Sequence, residues 1–240
     1  MRPNISSMKS SRKLKYLTSV VLAIILFLIL IFADKYFSVI NIIVDSPDKA
    51  GTIFGLEDYR HSNLILLSTD EMAKTLKKQN PEVKEATVTK IYPRTVVVKI
   101  SLYKPLAVID NGDGYLFLSE DGRILSRSSR NSLSLPIIHY YQKLNRYMFV
   151  VGDWINFQDM SFALHFIKTM NDLNMIVDQV DINGADMILC KLDNRQIVFT
   201  TEKSIQLQDY ELEQIVRQFK IDGKAFKSLD LRFEKPVVKF

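Results

Sequence analysis

Residues 86–101 read ATVTKIYPRTVVVKIS, two short strands broken by Tyr92-Pro93-Arg94. Val96, Val98 and Ile100 fall on one face of the second strand, with Val97, Lys99 and Ser101 opposite, which is the two-residue period of a half-buried strand. Pro93 has no N–H to give to a ladder, so it marks the turn between strands. Upstream, Ser68-Thr69-Asp70-Glu71 has capping-box spacing: the Ser68 hydroxyl takes a free backbone N–H and Glu71 reaches back for another. Met72, Ala73 and Leu76 continue as an apolar stripe until Asn80-Pro81 stops the helix. Further back, Thr52 to Tyr59 reads as a helix of two turns. Phe37, Val39, Ile42 and Val44 read as a strand whose one-residue slip predicts a bulge, ended by Ser46, Pro47 and Asp48. The order strand, helix, helix, strand, strand predicts a small α+β unit with both helices on one face.

The stretch in front of this unit sets its location. Leu17 to Ala33, LTSVVLAIILFLILIFA, carries no charge and is just long enough, as a helix, to cross a bilayer core. Arg2, Lys9, Arg12, Lys13 and Lys15 precede it, and no acid occurs before Asp34. Basic residues beside a membrane helix stay on the cytoplasmic side. The expected layout is a cytoplasmic, unstructured tail at 1–16, a transmembrane signal anchor at 17–33, and everything later outside. The apolar run exceeds a signal-peptide core, and Ala33 is the one small residue at its end, so cleavage is not expected. Five of the 32 Lys and Arg lie in the tail, and the 27 others equal the 27 Asp and Glu. The outer part is therefore neutral and lacks the basic excess of a nucleic-acid binder.

After Lys104-Pro105 the pattern changes to mostly strands. LAVID and YLFLS flank Asn111-Gly112-Asp113-Gly114, and Asp121-Gly122 joins YLFLS to RILS; Asx-Gly pairs suit tight hairpins. A calcium loop begun at Asp110 would place Gly112 and Gly114 where oxygen ligands are needed, so turn chemistry is the better reading. SLPIIHYY is a short buried strand. Asp159 to Leu173 is helical through Met160, Ala163, Phe166, Ile167, Met170 and Leu173, with His165 off that stripe and on the surface. MIVDQVDI is a strand, and DMILCKLD and RQIVFTT pair around Asp193-Asn194. Leu207 to Lys220 is a second helix with Tyr210, Ile215 and Phe219 inward. SLDLRFEKPVVKF closes as a strand, with Leu229, Leu231 and Phe233 on one face and Asp230, Arg232 and Glu234 on the other.

No catalytic pattern is present. His61, His139 and His165 are far apart and lack metal spacing, and there is no nucleophile elbow, Walker loop or dinucleotide fingerprint. Cys190, the single cysteine, permits no intramolecular disulfide and reads as a buried, inert thiol. The chain reads as no enzyme, with no cofactor, metal or small-molecule substrate. Binding through an unpaired sheet edge remains, a mode that needs no motif.

Both outer units resemble the FtsQ/DivIB family. The first carries YFSVINIIV, SNLILLSTDEMAKTL, VKEATVTKIYPRTVVVKI and KPLAV, like the family's POTRA domain: a strand at Phe37–Val44, an Asn63-Leu64 step, the Pro93 turn and a Pro105-x-Ala107 exit. The family's acidic residue three before the exit proline is Leu102 here. The second carries the hairpin before a Leu-Pro strand and the closing SLDLRFEKPVVKF, like the family's β-domain. The resemblance implies a POTRA domain at 36–106 and a β-domain at 107–240. It further implies a single-pass division scaffold of the cytoplasmic membrane, placed at the septum and regulating septal cell-wall synthesis. Partners would be FtsB and FtsL, met by strand addition at the terminal strand. The matching residues are Arg232 and Phe233, with Val238 and Phe240 further along. Phe233 reads as core by its face and as contact by the resemblance; Arg232, on the charged face, is the firmer contact. The rival reading, a POTRA-bearing secretion or outer-membrane assembly factor, usually requires a membrane β-barrel, for which residues 107–240 hold too few strands.

Overall fold

The computed structural model describes residues 5–46, 51–142, 144, 149–184 and 186–240, so Pro47 and Asp48, read as strand breakers, lie outside the described residues. The fold is α+β. Residues 1–79 and 85–101 make one compact unit, and residues 80–84 and 102–240 a second.

The first unit begins with α1, Ile5–Tyr36. Its segment Thr18–Tyr36 is long and apolar enough to cross a membrane by length and composition. The helix reaches back over residues 5–16, which were expected to be unstructured. Extending an existing helix avoids the cost of nucleation, and Lys, Arg and Leu are good helix formers. After it come β1 (Asn41–Asp45), α2 (Thr69–Gln79), β2 (Val83–Ile91) and β3 (Thr95–Leu102). The sheet order is β1-β3-β2, with β1 parallel to β3 and Ile42 opposite Val96. The Ser68 hydroxyl accepts the Glu71 N–H at 3.3 Å, as the capping spacing predicts. Met72, Leu76, Val96 and Val98 are fully buried with Val39 and Leu64.

Two expectations are corrected here. The two-turn helix over 52–59 is one 3-10 turn, Glu57–Tyr59, because Gly55 adopts φ 84° and interrupts any right-handed helix. The slip between Val39 and Ile42 is a change of partner. Val39 exchanges hydrogen bonds with His61 and Ser62 at 2.9 Å each, and the chain joins the sheet only at Asn41.

The second unit holds β4 (Pro105–Asp110), β5 (Tyr115–Ser119), β6 (Ile124–Ser128), β7 (Ile137–Tyr140), α3 (Gln158–Asp172), β8 (Gln179–Asn183), β9 (Met187–Leu192), β10 (Arg195–Thr200), α4 (Ile205–Asp222), β11 (Ser228–Asp230) and β12 (Val237–Lys239). The strands form one sheet in the order β12-β11-β10-β9-β8-β7-β4-β5-β6. Hairpins at Gly112-Asp113-Gly114, Asp121-Gly122 and Asp193-Asn194 fall where the Asx-Gly and Asp-Asn pairs put them. Asp193 itself takes φ 49°. β4–β7, β7–β8 and β10–β11 are parallel pairs.

The stripe Met160, Ala163, Phe166, Ile167 and Met170 of α3 is fully buried, and Phe166 stacks on Phe199 with ring centroids 3.8 Å apart. On α4 the buried residues are Gln208, Leu212 and Val216, flanked by the partly buried Ile215 and Phe219. Tyr210, expected inward, is 61% exposed. It stands two residues from Leu212, roughly 200° round the helix, on the opposite side. His165 is no free surface residue: its Nε2 lies 2.7 Å from Asp209 Oδ2 and ties α3 to α4. The SLDLRFEKPVVKF strand is in fact two strands, β11 and β12, folded back on each other.

Phe166→Ala removes a fully buried ring from the centre of this core. It should cost the second unit about 3–5 kcal/mol, read by denaturant unfolding followed at Trp154, the only tryptophan.

Candidate functional site

The terminal hairpin is built outward from β10. β11 lies parallel to it, with Ile197 opposite Leu229 and Val198 opposite Asp230. β12 then runs antiparallel to β11, with Leu229 opposite Val238. It is the outermost strand on that side of the sheet. The Lys239 carbonyl accepts the Lys227 N–H at 2.8 Å, so residue 239 turns its main-chain groups toward β11. Along an extended strand these groups alternate side by side. Val238 therefore directs its N–H and C=O away from the sheet.

The turn between the strands is held by charge. Leu231 is fully buried and its N–H donates to the Val198 carbonyl at 2.9 Å. Arg232 donates to Asp230 twice, Nε to Oδ1 at 2.9 Å and Nη2 to Oδ2 at 2.7 Å, and its backbone N–H adds a bond to Oδ1 at 3.1 Å. The guanidinium also reaches Met187 Sδ at 3.2 Å and lies 5.5 Å from the Phe233 ring centre. From the other side comes Lys203, whose Nζ donates to Leu231 O at 3.2 Å, to Phe233 O at 3.0 Å and to Glu211 Oε2 at 2.5 Å. Lys203 itself is positioned by a corner that Gln208 locks. The fully buried Gln208 amide accepts from Thr200 N at 2.9 Å and donates to Thr200 O at 2.8 Å and Lys203 O at 3.0 Å. Ser204 caps α4 through Leu207 N–H.

The four residues singled out from the sequence thus have distinct settings. Phe233 is 53% exposed, which removes it from the core to which its alternation assigned it, because the chain leaves the strand after Asp230. Arg232 is no free charge but half of an intramolecular bidentate pair. Val238 is half-buried against the core, and Phe240, 66% exposed, sets its ring edge-on to Phe219 of α4 at 5.8 Å. Phe240 also borders a shallow groove of about 520 Å³ that Lys191, Arg195, Lys227 and Lys239 line together with Asp193, giving it a mainly basic rim. Sequence reasoning missed Lys203, Glu211 and Asp230. Asp230 and Arg232 had a legible signal, opposite charges two apart on one strand face, whereas Lys203 acts 28 and 30 residues away and had none.

Among the described residues no three His, Cys, Asp or Glu side chains gather where a metal ion would be held. Cys190 is fully buried, and burial with the nearby Asp181 charge pushes its thiol well above the ordinary range.

An FtsQ-type POTRA family model matches residues 46–101. A cell division protein FtsQ of Bradyrhizobium diazoefficiens is 22% identical over 152 residues, covering 59% of this chain and 44% of that protein. The chain thus matches less than half the length of this curated relative. A solved extracytoplasmic domain of the cell division protein DivIB from Geobacillus stearothermophilus aligns at 9% identity over 51% of this chain and 97% of its own, with a TM-score of 0.31, too slight a likeness to add to the argument.

Burial raises the Asp230 carboxyl, but the Arg232 hydrogen bonds and charge, with Lys239 further off, outweigh it and hold the group below the usual carboxylate range. A carboxyl held low lends stability that is complete above its unfolded pKa and is lost as pH falls through the folded value. Acidification from neutrality through about pH 4 should therefore loosen the turn, seen as faster amide exchange at Val237–Lys239. Asp230→Asn should show the looser turn already at neutral pH and lose that acid dependence.

The three-stranded sheet behind a membrane-length helix, the matched family model and the division-protein relative agree with one another: the chain carries an FtsQ-type POTRA domain and is similar to the cell division protein FtsQ.

Proposed function

We propose that this chain is a non-catalytic, membrane-anchored scaffold of cell division that recruits partners of the FtsB and FtsL kind by strand addition at β12. α1 crosses the cytoplasmic membrane with its basic end inside, the outer units stand on the far side at the septum, and the assembly regulates septal cell-wall synthesis. The observation that carries the reading is the outward edge of β12. Unpaired N–H and C=O groups on an edge strand are a template for an incoming strand, and Val238 aims its pair away from β11. The exposed Phe233, Val237 and Phe240 flank that edge, and the basic groove beside Phe240 suits an acidic residue at one end of the partner strand. Arg232 shapes the turn through Asp230 and offers the partner what remains of its guanidinium.

The test uses two prolines. Val238→Pro removes an outward donor and should weaken binding of the partner's extracytoplasmic segment at least about tenfold, roughly 1.4 kcal/mol, with little change in melting temperature. Lys239→Pro removes an inward group and should mainly lower the melting temperature. In cells depleted of the wild-type chain, Val238→Pro should leave filaments with segregated nucleoids and no septa. Wild-type binding by Val238→Pro would remove β12 as the dock; normal septation on depletion would remove the division role.

A further inference from the structure

The dock at β12 leaves two marked sequence features without a role, the Asn63-Leu64 step and the Tyr92-Pro93-Arg94 turn. The structure gathers both at the end of α1. The helix runs into the POTRA unit with no linker: Phe37 N–H donates to Ala33 O at 2.9 Å, and Leu64 N–H to Phe37 O at 2.7 Å. Arg94 turns its guanidinium to the last carbonyls of the helix, with Nε 3.0 Å from Tyr36 O and Nη2 3.4 Å from Lys35 O. Asn63 Nδ2 donates to Asp34 at 2.7 Å, while its Oδ1 accepts from Ile65 N at 2.9 Å and Leu66 N at 3.4 Å. Lys90 Nζ reaches Ile65 O at 3.0 Å, and the Tyr92 ring stands edge-on to Phe37 at 6.1 Å. Two loops are thus pinned at the level of the final turn of α1.

What those loops present, with the last residues of α1 and β2 beside them, is apolar. Leu66 is 81% exposed, Tyr92 57%, Ile91 51%, Ile65 50% and Tyr36 45%. Five large apolar side chains held outward together mark an interaction surface. We propose that this rim is seated in the lipid interface of the bilayer that α1 crosses, so that the POTRA unit is docked on the membrane. The proposal rests on the reading of α1 as membrane-spanning.

Four observations favour lipid as the occupant. The rim is continuous with the exit of α1, so any chain that inserts the helix brings the rim to the headgroup level. Two of the five residues are tyrosines, whose amphipathic rings concentrate at membrane–water boundaries. Lys35, Lys90 and Arg94 stand among them, cations at the depth of lipid phosphates. The loop backbone suits that depth too, since Asn63 accepts the Ile65 and Leu66 N–H groups that a poorly hydrated setting would otherwise leave unmet.

The full chain, carrying a single engineered cysteine, would be reconstituted in vesicles of phosphatidylethanolamine and phosphatidylglycerol. Buried Cys190 is shielded from the label. An environment-sensitive fluorophore at Leu66→Cys or Tyr92→Cys should be quenched at least about twofold by nitroxide lipids labelled near the headgroup, as expected of interfacial side chains. The same probe at Thr87→Cys, an exposed site on β2, should be unaffected. Leu26→Cys, mid-helix, should be quenched by nitroxides deep in the acyl chains. Loss of the Leu26 signal would show that α1 does not span, which undoes the premise. A normal Leu26 signal with Leu66 and Tyr92 as water-exposed as Thr87 overturns the inference itself. Shielding of Leu66 seen only in native membranes would assign the rim to a protein and likewise overturn it.

Discussion

One ammonium group governs the terminal hairpin. Lys203 sits nearly out of water between the Glu211 carboxylate and the carbonyls of Leu231 and Phe233. A buried ion pair is a poor source of net stability, because desolvation consumes much of the Coulomb gain. What it provides is direction. Three fixed acceptors leave the ammonium one place to be, and two of them belong to the turn that sends the chain back along β11. Gln208 performs the matching task one step earlier, using a fully satisfied amide to fix the bend from β10 into α4. The outer edge of the sheet is therefore aimed by polar groups while Leu229 and Leu231 anchor it by packing, which suits a strand with only three residues in register.

Much of the fold was legible because it depends on neighbours in sequence. The two-residue period of Val96, Val98 and Ile100, the Ser68 cap, the α3 stripe from Met160 to Met170 and the Asx-Gly hairpins each came out where local rules put them. The misreadings share a cause: a nonlocal partner or a single residue overrode the pattern. Gly55 stopped a helix that composition allowed. Val39 paired with residues 61 and 62 instead of the sheet. Tyr210 lost its place to Gln208, a polar residue that no hydrophobicity rule would turn inward. At the candidate site, Leu229, Leu231 and Phe233 alternated as one strand should, yet the chain turned after Asp230 and carried Phe233 into solvent.

That turn gives physical content to the run Asp230-Leu231-Arg232-Phe233. Leu231 is the buried peg, with its N–H on Val198. Asp230 and Arg232 face outward together and close a bidentate ring that spares both charges from being isolated at a half-buried site. The aromatic residue then follows on the exposed side, its ring against the guanidinium. The four residue types are thus one local device for leaving a strand at a set angle, and a substitution at any one of them disturbs the other three.

The parallel pairing of β10 with β11 has a consequence for how the molecule comes into being. Parallel neighbours cannot be joined by a tight turn, so the chain must first travel through α4 before β11 can lie down beside β10. Contacts separated by so many residues form late, because loop closure precedes their reward. β12 in turn needs β11. The edge is therefore assembled only after the helical layer and the strands beneath it are in place, and a chain with α4 unformed offers no third strand on which to build it. Display of the edge then reports that the domain behind it has folded.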